Sequence, residues 1–252
     1  MKNNTIHVHN LSFRAGKRQI LENVEFELAA GTVTAILGRN GAGKSTLLRI
    51  LTGLLLPTTG DVTVLGESPT RHGAALRRKI GYVPDAIELP TWMRIIDYFR
   101  FCEPFYPSWN RSLSDSLLSR LSLDPTLLFR TLSKGERTKV ALIAALTHEP
   151  ELLILDEPFS GLDAIARREI LETLIEQIAD RKHSVLFVSH SLADVERLAD
   201  SVALLDNGRF VWNGSLDDAR ALMQESPAAG AHPERAFDLQ YFFESSIANA
   251  AK

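Results

Sequence analysis

Hydrophobic and polar positions alternate through the N-terminal stretch, as in Ile6-His7-Val8-His9 and Val24-Glu25-Phe26-Glu27-Leu28, which predicts half-buried strands. Ala30-Gly31 interrupts that rhythm, and the apolar run Val33-Thr34-Ala35-Ile36-Leu37 follows it. Residues 60–66 and 79–84 predict two further short strands. Between residues 91 and 146 the pattern changes to helical apolar spacing with few strand signals. Residues 151–155 and 184–189 are nearly uniform apolar runs, as expected of strands buried on both faces of a parallel sheet. The segment 166–179 between them carries Ile170, Leu174 and Ile178 on one helical face and predicts a crossover helix. Asp206-Asn207-Gly208 predicts a hairpin turn into a last strand at 209–212. The expectation is an α/β domain over 1–223, with strands in its N-terminal part, a parallel-sheet core and a helical part at about 86–146. The segment 224–252, rich in Ala, Ser and Pro in its first part, is too short for a second core.

Composition narrows the function classes. The chain has 252 residues, 45% of them hydrophobic and 23% charged, with a formal net charge of −3. That balance argues against a polyanion-binding protein, so no nucleic acid is expected as a partner. The single cysteine, Cys102, excludes an intrachain disulfide and reads as a packed small hydrophobe. The N-terminal residues lack the apolar stretch of a signal peptide, and no run approaches the ~20 apolar residues of a membrane span. Any membrane role is therefore expected to need a separate partner.

The chemistry is concentrated in two places. Gly38-Arg39-Asn40-Gly41-Ala42-Gly43-Lys44-Ser45 follows the apolar run 33–37 and precedes the helical Thr46-Leu47-Leu48. Strand, glycine loop and helix in that order is the context of a phosphate-binding P-loop, in which glycines let successive N–H groups turn inward and the helix N-terminus adds its positive end. Lys44 would neutralise the β- and γ-phosphates and the Ser45 hydroxyl would ligate Mg²⁺. A glycine-rich turn alone could bind nothing; the full spelling in this setting predicts a nucleoside triphosphate site. The second place is Asp156-Glu157, two carboxylates closing the run 152–155. At the end of a parallel strand they face the crevice where ligands sit, so Asp156 would hold Mg²⁺ through water and Glu157 would act as general base on the attacking water.

With these motifs together, the chain resembles the ATP-binding-cassette (ABC) transporter ATPases. Leu132-Ser133-Lys134-Gly135-Glu136 is similar to the family's LSGGQ signature, Ser160-Gly161-Leu162-Asp163 to its D-loop, and Ser189-His190 to its switch histidine, in the family's order over roughly 5–215. The resemblance implies a P-loop NTPase fold with a RecA-like core, an N-terminal antiparallel β subdomain and a helical subdomain. It also implies two subunits packed head to tail around two ATP molecules. The Ser133 hydroxyl and Gly135 N–H of one subunit, together with Asp163, would then complete the site of the other. His190 would contact the γ-phosphate and orient Glu157. A homodimer suffices and a close paralogue is the alternative partner. A transmembrane permease subunit would dock between the glutamine loop and the signature, with Trp92 and Tyr98 as contacts or as core. The protein would sit on the cytoplasmic face of the inner or plasma membrane.

The chain departs from the family in three places. Asp85 stands where a glutamine usually ligates Mg²⁺, and is expected to sense the metal through a water. Ala15 stands where an aromatic ring usually stacks on adenine, which predicts modest selectivity for ATP over GTP; a shift of Phe13 could substitute for the ring. Lys134 and Glu136 replace a glycine and a glutamine of the signature. With the segment 105–110, these changes are similar to stand-alone ATPase subunits of bacterial exporters of antibiotics, drugs, lipids or polysaccharides. The alternative functions are a soluble ATPase of this family acting on ribosomes or DNA, and a non-hydrolysing regulator, which would be expected to lack Glu157 or His190.

Overall fold

The computed structural model describes residues 4–179 and 183–224, and the expectations for the segment 225–252 lie outside the described residues. Strands β1 (Asn4–Ala15) and β2 (Arg18–Ala29) form a long hairpin; β3 (Val33–Leu37) leads into helix α1 (Lys44–Leu51). Then come β4 (Thr59–Val64), α2 (Pro69–Arg77), β5 (Ile80–Val83), α3 (Ile95–Cys102), α4 (Arg111–Arg120) and α5 (Lys134–Thr147). The chain continues through β6 (Leu152–Asp156), α6 (Ala164–Ile178), β7 (Ser184–Val188), α7 (Leu192–Leu198), β8 (Ser201–Asp206), β9 (Arg209–Ser215) and α8 (Leu216–Gln224).

Two sheets result. An antiparallel sheet has the order β2-β1-β4, and a six-stranded sheet has the order β5-β6-β7-β3-β8-β9, parallel except for β9. Every residue of β3, β6 and β7 is buried, which is why those runs carry no polar alternation. Their alternate side chains fill two cores. Ile36, Leu152, Ile154, Leu186 and Val188 pack with α1 and the antiparallel sheet. Ala35, Leu153, Leu155, Val185 and Phe187 pack with the helical region that includes Phe99, Leu117 and Ile143. This is the expected α/β architecture, with an antiparallel sheet, a mostly parallel core and a helical layer. No helix among the described residues is long and apolar enough to cross a membrane.

The structure adds α2, α7 and α8, whose short apolar stripes gave no periodic signal. It also divides the aromatic side chains that crowd residues 92–109. Tyr98 lies edge-on to Phe129 at 5.3 Å, and Phe99 lies against Trp109 at 6.0 Å, whereas Trp92 is 72% exposed and Phe101 and Phe105 face solvent together.

Candidate functional site

The loop between β3 and α1 is held by backbone approach. A Cβ on Gly38 would lie 2.2 Å from the Leu205 carbonyl oxygen of β8, and one on Gly43 would lie 2.7 Å from Leu21 Cδ2, at a φ of +108°. These two glycines are therefore demanded by their neighbours as well as by the turn. Gly43 caps α1 without a side-chain hydrogen bond, so the first-turn N–H groups have no side-chain acceptor at the cap. Lys44 is 7% exposed, and its Nζ donates to the carbonyls of Gly38 and Arg39 at 2.7 and 3.0 Å. Burial pushes the Lys44 pKa down while Glu157 and Asp156 pull against that shift. Helix dipole, free amides and a lysine beside carboxylates together suit a polyanion accompanied by a cation.

The strand ends bring in the acids. Asp156, the last residue of β6, is 3% exposed, and its Oδ1 has no hydrogen-bond partner among the described residues. Burial raises its pKa; a hydrogen bond from Ser45 opposes this, and the charges of Asp85 and Glu157 add to it. A buried carboxylate with an orphaned oxygen, beside a hydroxyl and a second acid, is a donor set for a hard cation. No group of three or more His, Cys, Asp or Glu side chains able to hold a metal occurs among the described residues. A cation would therefore draw on Ser45, Asp156 and Asp85 together with ligand oxygens and water. Glu157 follows in the left-handed region at φ +52°, where a non-glycine residue is strained. Its Oε2 lies 2.7 Å from His190 Nδ1, and its N–H donates to the Val188 carbonyl at 3.1 Å, which ties the two strand ends together.

A single cleft is lined by Asn40, Gly41, Gly43, Lys44, Ser45 and Thr46 of the loop and by Asp85, Asp156 and Glu157. The sequence-predicted residues Ser133, Gly135 and Asp163 do not line it. Ser133 caps α5: its Oγ accepts from the Glu136 N–H at 3.2 Å and Glu136 Oε2 accepts from the Ser133 N–H at 2.8 Å. Asp163 caps α6 by accepting from Ile165 and Ala166. Lys134 overlies the D-loop, its Nζ 3.0 Å from where a Cβ on Gly161 would sit. Phe13 is partly buried and packs against the antiparallel-sheet core, whereas Ala15 is exposed.

Sequence reasoning missed several contributors. Arg18 and Ile20 of β2 also line the cleft; the alternation of β2 that places them on one face is their only local signal. Arg167 of α6 donates to the buried Asp194 of α7 and to Ser191, bracing the segment just after His190. Away from the loop, a second cleft between β5 and the helical region is lined by Leu89, Tyr98, Tyr106, Trp109 and His148. The His148 ring stacks on Tyr106 at 4.3 Å, with its two nitrogens 3.2 Å from the carbonyls of Ala144 and Ile80.

Comparison with known proteins agrees with this geometry. The family model for the ABC transporter matches residues 21–160. An aliphatic sulfonates import ATP-binding protein, SsuB of Cupriavidus necator, is 35% identical over 89% of this chain and 73% of its own length. The daunorubicin resistance ATP-binding protein DrrA3 of Streptomyces coeruleorubidus is 32% identical over 88% of this chain and 71% of its own. A solved structure of an ATP-binding subunit of an ABC transporter superposes with a TM-score of 0.84 at 30% identity, covering 96% of this chain and 99% of that one.

Proposed function

This chain belongs to the ABC transporter family as an ATP-binding subunit with ATPase activity, and from that premise we propose how it turns over and what it drives. ATP lies in the cleft with its phosphates on the loop 38–46, Lys44 neutralising the β- and γ-phosphates. Ser45 would hold Mg²⁺ directly, and Asp156 and Asp85 through water; the ion would supply charge neutralisation at the phosphates. Glu157 takes the proton of the attacking water, and His190 fixes the orientation of the Glu157 carboxylate and approaches the γ-phosphate. The observation that carries this reading is the convergence of an orphaned buried Asp156 oxygen, a Glu157–His190 pair and Lys44 beside one cleft. Glu157→Gln is expected to lower kcat by about 10²- to 10⁴-fold and to leave ATP affinity within a few-fold, checked by phosphate release and equilibrium binding. Equal loss of affinity and turnover would instead make Glu157 a binding residue.

Ser133, Gly135 and Asp163 lie outside the cleft of their own chain, which supports their acting on the ATP of a second subunit in a head-to-tail dimer. Each α5 N-terminus would then meet the γ-phosphate across the interface. The cleft around Tyr98, Tyr106 and Trp109, with the exposed Trp92 nearby in sequence, supports docking of a transmembrane permease subunit at a membrane surface. Export of a drug, antibiotic or lipid is our reading of the direction, supported by the likeness to a daunorubicin resistance protein and by the exporter-like Lys134 and Asp85. The likeness to a sulfonate import protein makes uptake the competing direction. Inside-out vesicles carrying the copurified permease decide it: ATP-dependent accumulation of substrate inside supports export, and ATP-dependent release of preloaded substrate overturns it.

A further inference from the structure

We propose that Arg18 is the residue that holds the nucleobase, its guanidinium stacking on the purine face; this rests on the reading of the cleft as a nucleotide site. Once the loop residues and the acids are assigned to phosphate and cation, the cleft's remaining lining is Arg18 and Ile20. Both come from β2 and stand two residues apart, so strand alternation turns them to the same face. Their neighbours Arg14 and Gln19 bond to each other at 2.6 Å and line a different hollow, with Glu22 and Thr58.

This stretch of β2 is fixed against the loop. The Ile20 carbonyl oxygen would lie 3.0 Å from a Cβ on Gly43, so the strand and the phosphate loop touch through backbone. Arg18 is exposed and makes no hydrogen bond or ion pair among the described residues, which leaves its guanidinium plane uncommitted. Its cross-strand partner is Ala15, whose methyl leaves the space beside the guanidinium open. A phosphate would not need the apolar Ile20 at its side, whereas a flat ring gains from a cation on its face and an aliphatic group at its edge. Arginine stacks where lysine cannot, because its charge is spread over a plane. The two purines offer the same kind of face, so this contact does not separate ATP from GTP.

The test measures equilibrium binding of ATP, GTP and inorganic tripolyphosphate to the full chain and to the variants Arg18→Ala and Arg18→Lys. The expected result is that Arg18→Ala weakens ATP and GTP alike by about 3- to 30-fold and leaves tripolyphosphate unchanged. Arg18→Lys keeps the charge but loses the plane, and is expected to recover less than half of that loss in log units. An equal loss for tripolyphosphate would show that Arg18 serves the phosphates, and unchanged ATP and GTP binding would show that it serves neither; both overturn the proposal. If the unsubstituted chain bound neither ATP nor tripolyphosphate, the nucleotide reading itself would fall, and this inference with it.

Discussion

His148 shows what a single residue contributes once it is folded in. It is 2% exposed, and burial pushes its pKa down against the two carbonyls that would favour its charged form. Between that lowered value and the ordinary one near 6.5, the unfolded chain binds a proton that the folded chain refuses. Stability should therefore rise with pH through this window and fall as the solution is acidified below about pH 6.5. His148→Gln is expected to flatten this part of the profile, read as the difference in urea midpoint between pH 7.5 and pH 5.5. An unchanged slope would assign it to other groups. Gly43 makes the same point sterically. The sequence marks it as a P-loop glycine, yet the backbone that would crowd a side chain there, the Ile20 carbonyl oxygen at 3.0 Å, comes from β2. Asp156 is the third case: its place at a strand end was legible, whereas its burial and orphaned oxygen were not.

At the scale of elements, the segment just after His190 is braced by a bridge between two helices. The Asp194 side chain of α7 is 3% exposed and receives three hydrogen bonds from Arg167 of α6, the shortest 2.7 Å. Removing one partner of such a pair leaves a buried charge unmatched, so Arg167→Ala should cost about 3 kcal/mol of stability. It should also loosen the segment that carries His190 and lower kcat more than ATP affinity; thermal unfolding and steady-state kinetics check the two parts. The N-terminus of α5 carries a Ser-x-x-Glu capping pattern, Ser133 to Glu136, where the family signature has a glutamine. The reciprocal hydrogen bonds of Glu136 with Ser133 give that departure a structural reason.

At the scale of the whole molecule, one chain presents a cleft at the loop 38–46 and a separate helix N-terminus at Ser133, and neither completes the other. The expected consequence is association that depends on ATP. Glu157→Gln with ATP should elute as a dimer, and adding Ser133→Arg should return it to monomer while ATP binding persists. A dimer that survives both the added arginine and the removal of ATP would mean that the subunits meet through another face. A charge at Trp92, which is exposed, should likewise uncouple transport in the assembled complex while leaving basal ATPase activity intact.

By itself the sequence determined the fold class, the buried strands β3, β6 and β7, the phosphate loop and the acid pair. Each of these is encoded in neighbours a few residues apart, as an unbroken apolar run, a pair of adjacent acids or a glycine spacing. Tertiary structure alone decided which distant residues meet: Leu21 with Gly43, His190 with Glu157, Arg167 with Asp194, and Arg18 and Ile20 with the cleft. It also separated the aromatics into packed Tyr98 and Trp109 and exposed Trp92. The reason is physical: local pattern fixes which face of an element is apolar, and only the packing of one element against another fixes what that face touches.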